Sequence, residues 1–291
     1  MPVTGPIPEW TISAAAVATV FTVMFDLGLA IVPGEFRWVA KRPGLMLKAL
    51  FSVLVAVPAL AWLVVRTLDL SRAAQIGIVL MAISPGAPVA LRRSLGAGGH
   101  QSFAPGLQIA MAVLAVASMP LSIAAFNEYY GGQATIAPQQ LARQVFIAQL
   151  LPLGLGMLTR HFLTEQAMWV EPRLRKLGTA LLIVLLVVVL IDIWRQVVDA
   201  GPNVALAIMI VTILALAVGH LLGGPEPATR TATAISSAAR NPGLALLVAT
   251  LNAASPAINA TVLAYLVVSA LAVIPYIIWR RRATVARPEN G

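Results

Sequence analysis

The chain has 291 residues, 59% of them hydrophobic and only 11% charged, with a mean hydropathy of +0.87. A soluble domain carries about 25% charged residues, so a water-soluble fold is excluded, and apolar runs of about 20 residues recurring from end to end mark a chain embedded in the membrane. The lack of cysteine excludes disulfides and thiolate metal sites, and the net charge of +9 fits basic loops facing one side of a membrane better than a nucleic-acid partner, which is not expected.

Residues 1–9 form a short tail without Lys or Arg, punctuated by Pro2, Pro6 and Pro8. A signal peptide would start basic, so the first apolar run is expected to be retained. The pattern predicts an all-α polytopic membrane protein with nine spans, at 10–33, 44–65, 72–91, 102–126, 139–160, 176–198, 203–222, 229–251 and 256–279. Short connections such as Pro33-Gly34-Glu35, Gly131-Gly132 and Gly223-Gly224-Pro225-Glu226-Pro227 separate them. Residues 10–126 make a first four-span repeat, 127–175 a linking fifth span with its loops, 176–279 a second repeat, and 280–291 a basic tail.

Charge sets the expected orientation. Fifteen of the 20 Lys and Arg residues, from Arg37 through Arg92 and Arg93 to Arg287, fall on one side. Four (Arg66, Arg72, Arg143 and Arg195) fall on the other, and Arg240 lies within a span. Lys/Arg excess marks the cytoplasm, which puts the N-terminus outside, the C-terminus inside and the chain in the plasma (inner) membrane. Trp10, Trp62, Trp194 and Trp279 fall near predicted span ends, where amphipathic rings favour the headgroup layer.

Two proline–glycine breaks interrupt apolar spans: Ser84-Pro85-Gly86-Ala87-Pro88 in the third and Arg240-Asn241-Pro242-Gly243 in the eighth. Each is the third span of its half, and the halves would run in opposite directions. Paired broken helices in inverted repeats are a secondary-transporter architecture, although a proline kink alone is tolerated in membrane helices. The half-helices after the breaks would direct positive dipole ends at a bound anion.

Arg240 is the leading candidate residue, because a guanidinium cannot deprotonate to escape burial. It either supplies a positive field to an anion or forms an internal ion pair, with Asp26 as the deep carboxylate at hand. Asp26 reads three ways: a proton-coupling group, the partner of Arg240, or a group solvated at the inner mouth, the last being favoured. The expected substrate-contacting set is Arg240, Asn241, Gly243, Pro85, Gly86, Ala87, Gln108, Asn252 and Asn259. Hydrogen bonding between helices explains the three amide side chains Gln108, Asn252 and Asn259 equally well. Arg92 and Arg93 read as cytoplasmic anchors or as lures for anions at the inner mouth. His100 and His161 are placed in loops, His220 at an interface, and no clustered His, Asp or Glu spacing suggests a metal enzyme.

At these residues the chain resembles the bile acid:sodium symporter family. The resemblance rests on Met24-Phe25-Asp26-Leu27-Gly28-Leu29 with Pro33-Gly34-Glu35-Phe36, on the Ser84–Pro88 break, and on Ala239-Arg240-Asn241-Pro242-Gly243-Leu244-Ala245-Leu246. It implies a core of crossed, discontinuous helices and a smaller panel, with substrate held between them. It also locates departures from the family pattern. Ala90 and Leu91 stand where sodium-coupled members carry a Ser-Asn pair, Ser236 where they carry a glutamate, and Arg240 where they carry a glutamine. Val53 falls near a further glutamine. Oxygen ligands are lost and a guanidinium enters; two unit cations ~4 Å apart would repel by roughly 4 kcal/mol at an effective dielectric of 20. The expectation is therefore a secondary transporter moving a small organic anion by alternating access, without the usual sodium sites and without a cofactor, its partners being the anion and membrane lipids. Sodium-coupled organic anion symport is the alternative. A channel-like pore is less favoured because no ring of charge or repeated filter loop is present. Enzyme activity is not expected, since no nucleophile–base pair converges.

Overall fold

A computed structural model describes residues 9–30, 38, 41–129, 137–199, 201–252 and 254–285. The tail through residue 8, the Pro33–Phe36 motif, Gly131-Gly132 and the basic tail beyond Val285 lie outside the described residues, as do the side chains of Trp10 and Trp194. The described chain is helical: α1 Glu9–Ala30, α2 Pro43–Thr67, α3 Arg72–Ala82, α4 Pro88–Gly96, α5 Phe103–Tyr129 and α6 Pro138–Phe162. There follow α7 Thr164–Asp199, α8 Gly201–Leu222, α9 Pro227–Ala238, α10 Pro242–Leu251, α11 Pro256–Ala272 and α12 Ile274–Val285.

Six of these twelve helices, α2, α4, α6, α9, α10 and α11, begin on proline. Proline's fixed φ suits the first helical position, and its missing N–H is one that would have no intrahelical partner there. Side-chain caps assist at two starts. Ser71 Oγ accepts from Ala74 N at 3.2 Å ahead of α3, and Asn241 Oδ1 accepts from Leu244 N at 3.1 Å at the head of α10.

Among the described residues, six helices are long and apolar enough to cross a membrane: Pro43–Thr67, Phe103–Phe126, Pro138–Phe162, Thr164–Ile191, Gly201–Leu222 and Pro256–Thr284. They coincide with the predicted second, fourth, fifth, sixth, seventh and ninth spans. The first span corresponds to α1. The third and eighth are each divided into two short helices, α3/α4 and α9/α10, at the two breaks.

Two boundaries differ from expectation. The helix of the sixth span starts at Thr164, twelve residues before the predicted position, because Pro172 is accommodated inside it and the charged stretch before it stays helical. The ninth span is interrupted at Val273, just ahead of Pro275, and the chain resumes as α12. His161, expected in a loop, lies in the last turn of α6.

The helices fall into two sets. In one, α1 packs along α6 and α7. In the other, α8 packs on α2, α9 and α11, α3 on α11, and α4 on α9. Contacts of α1 with α10 and of α7 with α11 join the sets, and one continuous cluster of buried apolar residues runs through both. Helices α1 and α6 meet where glycine faces glycine. A Cβ on Gly28 would lie 2.9 Å from Gly156 Cα and would collide with the Leu153 carbonyl, while one on Gly156 would collide with the Phe25 carbonyl. Small residues permit this approach. Neither backbone can yield, so Gly28→Ala is expected to destabilise the protein by about 1–3 kcal/mol. Thermal unfolding in detergent would read this as a lowered Tm, and an unchanged Tm would contradict the crossing.

Candidate functional site: the crossed helix breaks

Two prolines leave carbonyls without their usual donors in the interior, and the second break takes up both. In a continuous helix the Ser84 carbonyl would accept from residue 88, but Pro88 has no N–H. The Ser84 carbonyl accepts instead from Asn241 N, at 3.0 Å, so the two breaks are joined backbone to backbone. The Asn241 side chain adds a longer contact, its Nδ2 donating to the Gly86 carbonyl at 3.5 Å. Gly86 holds φ +81°, a region favourable to glycine.

The second freed carbonyl is that of Val53. Residues Ser52–Ala56 of α2 form a π turn, in which Val57 N donates back to Ser52 O. Val53 thereby loses its ordinary donor, and the next one along is Pro58. The Arg240 side chain fills the gap, Nη1 donating to the Val53 carbonyl at 3.1 Å. Arg240 is 3% exposed, and its Nε and Nη2 have no hydrogen-bond partner among the described residues. Tyr265 of α11 is fully buried.

Most of the sequence-predicted residues do come together here. Pro85, Gly86, Ala87, Arg240, Asn241 and Gly243 are all buried at the crossing. Gly243 lies against α1, where a Cβ would approach Val20 Cγ2 to 3.2 Å. Gln108 of α5 faces Gly86. Among the positions matched to sodium ligands, Ala90 is fully buried and packs with Ala87 and Ala239, Leu91 is partly buried, and Val53 contributes its carbonyl to Arg240. Ser236 is buried, and the neighbouring Ser237 pairs with Ser52, Oγ to Oγ, at 2.8 Å.

Two amides stand apart. Asn252 closes the far end of α10, about 15 Å along the helix from Asn241, where its Nδ2 donates to Gln144 Oε1 at 3.0 Å and to the Val248 carbonyl at 2.7 Å. Asn259 lies in the first turn of α11, and its Oδ1 has no hydrogen-bond partner among the described residues.

Asp26 corrects the sequence reading in two respects. It is 4% exposed and so is not solvated, and its partner is Arg92 of α4 rather than Arg240. Arg92 Nη2 donates to Asp26 Oδ2 at 3.1 Å, tying α1 to the half-helix after the first break. Sequence reasoning missed Tyr265, Gln149 and both π turns. A usable signal existed for the turns, because each is followed by proline at the same offset: Pro58 after Ser52–Ala56 and Pro152 after Phe146–Leu150. No group of three or more His, Cys, Asp or Glu side chains that could hold a metal ion occurs among the described residues.

A bundle of apolar helices with two of them interrupted and cross-linked at a buried cation defines an integral, multi-pass α-helical membrane protein. Residues 17–200 match the sodium bile acid symporter family, and the chain belongs to that family. The match takes in the first break and ends before the second. No curated protein matches the chain. The family is one of membrane transporters of the bile acid and organic anion type.

The Val53 pairing depends on Pro58 lacking an N–H. Pro58→Ala supplies a backbone donor that competes for the freed carbonyl and leaves the Arg240 guanidinium unpaired, at an expected cost of about 1–3 kcal/mol. In an Arg240→Met background the same substitution should cost nothing. Thermal unfolding of the four proteins of this double-mutant cycle tests the coupling, and equal effects in both backgrounds would break the assignment.

Proposed function

We propose that this protein is a secondary transporter that carries a small organic anion by alternating access, with Arg240 holding the positive charge that a sodium ion would otherwise bring. The observation that carries the reading is the buried Arg240 guanidinium donating to the Val53 carbonyl, among the positions where the sequence resemblance expects sodium ligands. Hydrocarbon side chains at Val53, Ala90 and Leu91 offer a hard cation no ligand, and Ser236 lacks the carboxylate charge. A fixed cation in the same space disfavours a mobile one and favours an anion.

In this reading the positive ends of α4 and α10, which start at Pro88 and Pro242, add to the field at the crossing. The repeats are residues 10–126 and 176–279, inverted with respect to each other. Helices α1, α6 and α7 form the smaller unit, and the remaining helices rock against it. Among the described residues Arg240 hydrogen-bonds within the larger unit, so its charge travels with the breaks. The chain sits in the plasma (inner) membrane with its N-terminus outside and its C-terminus cytoplasmic, partnered by its anion and by lipid. The Asp26–Arg92 pair links α1 to α4 and, like the Asn252–Gln144 hydrogen bond between α10 and α6, must part when the units separate; proton coupling through Asp26 would act at the ion pair.

Uptake of radiolabelled carboxylates, from pyruvate to cholate, into proteoliposomes tests the reading. Uptake is expected to saturate, to show counterflow and to persist when sodium is replaced by a bulky organic cation. Collapse of uptake without sodium selects sodium-coupled symport instead. Unsaturable flux without counterflow selects a pore.

Arg240→Gln removes the fixed charge while keeping a hydrogen-bond donor. It should abolish anion uptake or create a new dependence on sodium, measured in the same vesicles. Uptake like that of the unmutated protein, with no cation dependence, contradicts the role given to Arg240.

A further inference from the structure

A second group of polar atoms sits at the first break, and Arg240 does not account for it. Gln108 of α5 and Gln149 of α6 are both fully buried. Neither the oxygen nor the nitrogen of either amide has a hydrogen-bond partner among the described residues. Buried amides are almost always paired, so two wholly unpaired ones side by side mark a place where something else supplies the bonds. Both face the same point. Their Nε2 atoms lie 3.3 Å (Gln149) and 3.5 Å (Gln108) from where a side chain on Gly86 would begin. Even a single carbon at position 86 would crowd the Gln149 nitrogen, so the glycine is what lets both amides come up to the break.

The direction of Gln149 follows from its backbone. It lies in the π turn Phe146–Leu150, where Leu151 N donates back to Phe146 O and Pro152 has no N–H. The extra residue in this turn shifts the side chains around the helix axis, and such bulges are frequent at functional sites. Helix α6 belongs with α1 and α7, whereas Gly86 belongs to the set that carries the breaks. The two amides therefore meet at Gly86 only while the two sets of helices are in the present arrangement.

We infer that Gln108, Gln149 and the backbone at Gly86 form the subsite that holds the carboxylate of the transported anion, and that Gln149 is its specificity-determining contribution from α6. This deepens the anion-transport reading and rests on it. A planar carboxylate presents two oxygens, and two amide groups offer N–H donors to them without a counter-charge. The adjoining N-terminus of α4, nine residues long, favours negative charge there. A cation would meet that same positive end and Arg240 behind it. Arg240 is turned to the Val53 carbonyl of α2, so it acts on the anion through its field while the amides make the contact.

The chain has no cysteine, so Gln149→Cys carries a unique thiol. The test measures its reaction with a methanethiosulfonate reagent in proteoliposomes during turnover, with cholate and pyruvate as probes and their uncharged amides as controls. Whichever of the two carboxylates the unmutated protein takes up should slow labelling severalfold, and its amide should not. A thiol at Ile147, in the same π turn but 43% exposed, should be indifferent to both. Gln149→Leu should raise the half-saturation concentration roughly tenfold, the loss of one hydrogen bond to a charged group. Gln149→Glu keeps the size but opposes a carboxylate, and should abolish saturable uptake in protein that still elutes as a single species in detergent.

Uptake of a carboxylate without protection at position 149, a thiol there that never reacts, or Gln149→Glu transporting like the unmutated protein overturns the subsite alone. No uptake of either carboxylate by the unmutated protein, together with no protection, overturns the anion reading and the subsite with it.

Discussion

The structure turns on backbone carbonyls that proline leaves without donors. In a membrane-embedded chain every such group must find a partner inside the protein, because lipid offers none. Pro88 frees the Ser84 carbonyl, and Pro58, acting through the π turn, frees that of Val53. Both are taken up by consecutive residues of the second break, Asn241 through its backbone N–H and Arg240 through its side chain. Two interrupted helices and α2 are thereby fastened at one locus. Prolines in three elements distant in sequence therefore act together: Pro58 and Pro88 each expose an acceptor, and Pro242 restarts the helix immediately past the residues that fill them.

This fastening sorts the molecule mechanically. The breaks, α2 and the helices packed around them share direct hydrogen bonds and behave as a unit. Helices α1, α6 and α7 meet it through the Gly243 contact with Val20, the Asp26–Arg92 ion pair, the hydrogen bond from Asn252 to Gln144 of α6, and the amide of Gln149 facing Gly86. Only the ion pair among these is a strong polar link, and Arg92 is half exposed, so solvent weakens it. A larger unit held by buried hydrogen bonds, against a smaller one held by packing, one amide hydrogen bond and one partly solvated pair, is the arrangement that the proposed alternating access needs. Charge is divided along the same line. The guanidinium lies with the breaks, and the proposed carboxylate contacts straddle the boundary.

How far the site was legible depended on the range of the interactions involved. Both breaks, and Arg240 with Asn241, could be read from the chain, since proline and glycine in an apolar run and an arginine at membrane depth are local signals. Asp26 was recognised as a deep carboxylate, but solvation was favoured for it and Arg240 was the one partner considered, because which arginine reaches it depends on how α4 lies against α1. Gln149 carried no local signal except Pro152 three residues later, and that proline acquires meaning only beside the matching Pro58. Asn252 and Asn259 had the same chemistry as Gln108 in the sequence. The fold leaves Asn252 at the far end of α10 and Asn259 in the first turn of α11, while Gln108 faces the crossing.

What the sequence determined alone is whatever depends on residues within a turn or two of one another: the membrane-embedded, all-helical character, the six long apolar helices, the places where two others must break, and the presence of a cation that cannot discharge. Hydropathy, proline's missing N–H and glycine's freedom at positive φ act locally and need no knowledge of the rest of the chain. Only the tertiary structure decided which carbonyl the guanidinium would find, which arginine would hold Asp26, and which glutamines would be left unpaired beside Gly86. Those outcomes depend on the crossing of different helices, in one case 187 residues apart. At such distances a hydrogen bond is fixed by packing geometry, and the identities of the residues do not reveal it.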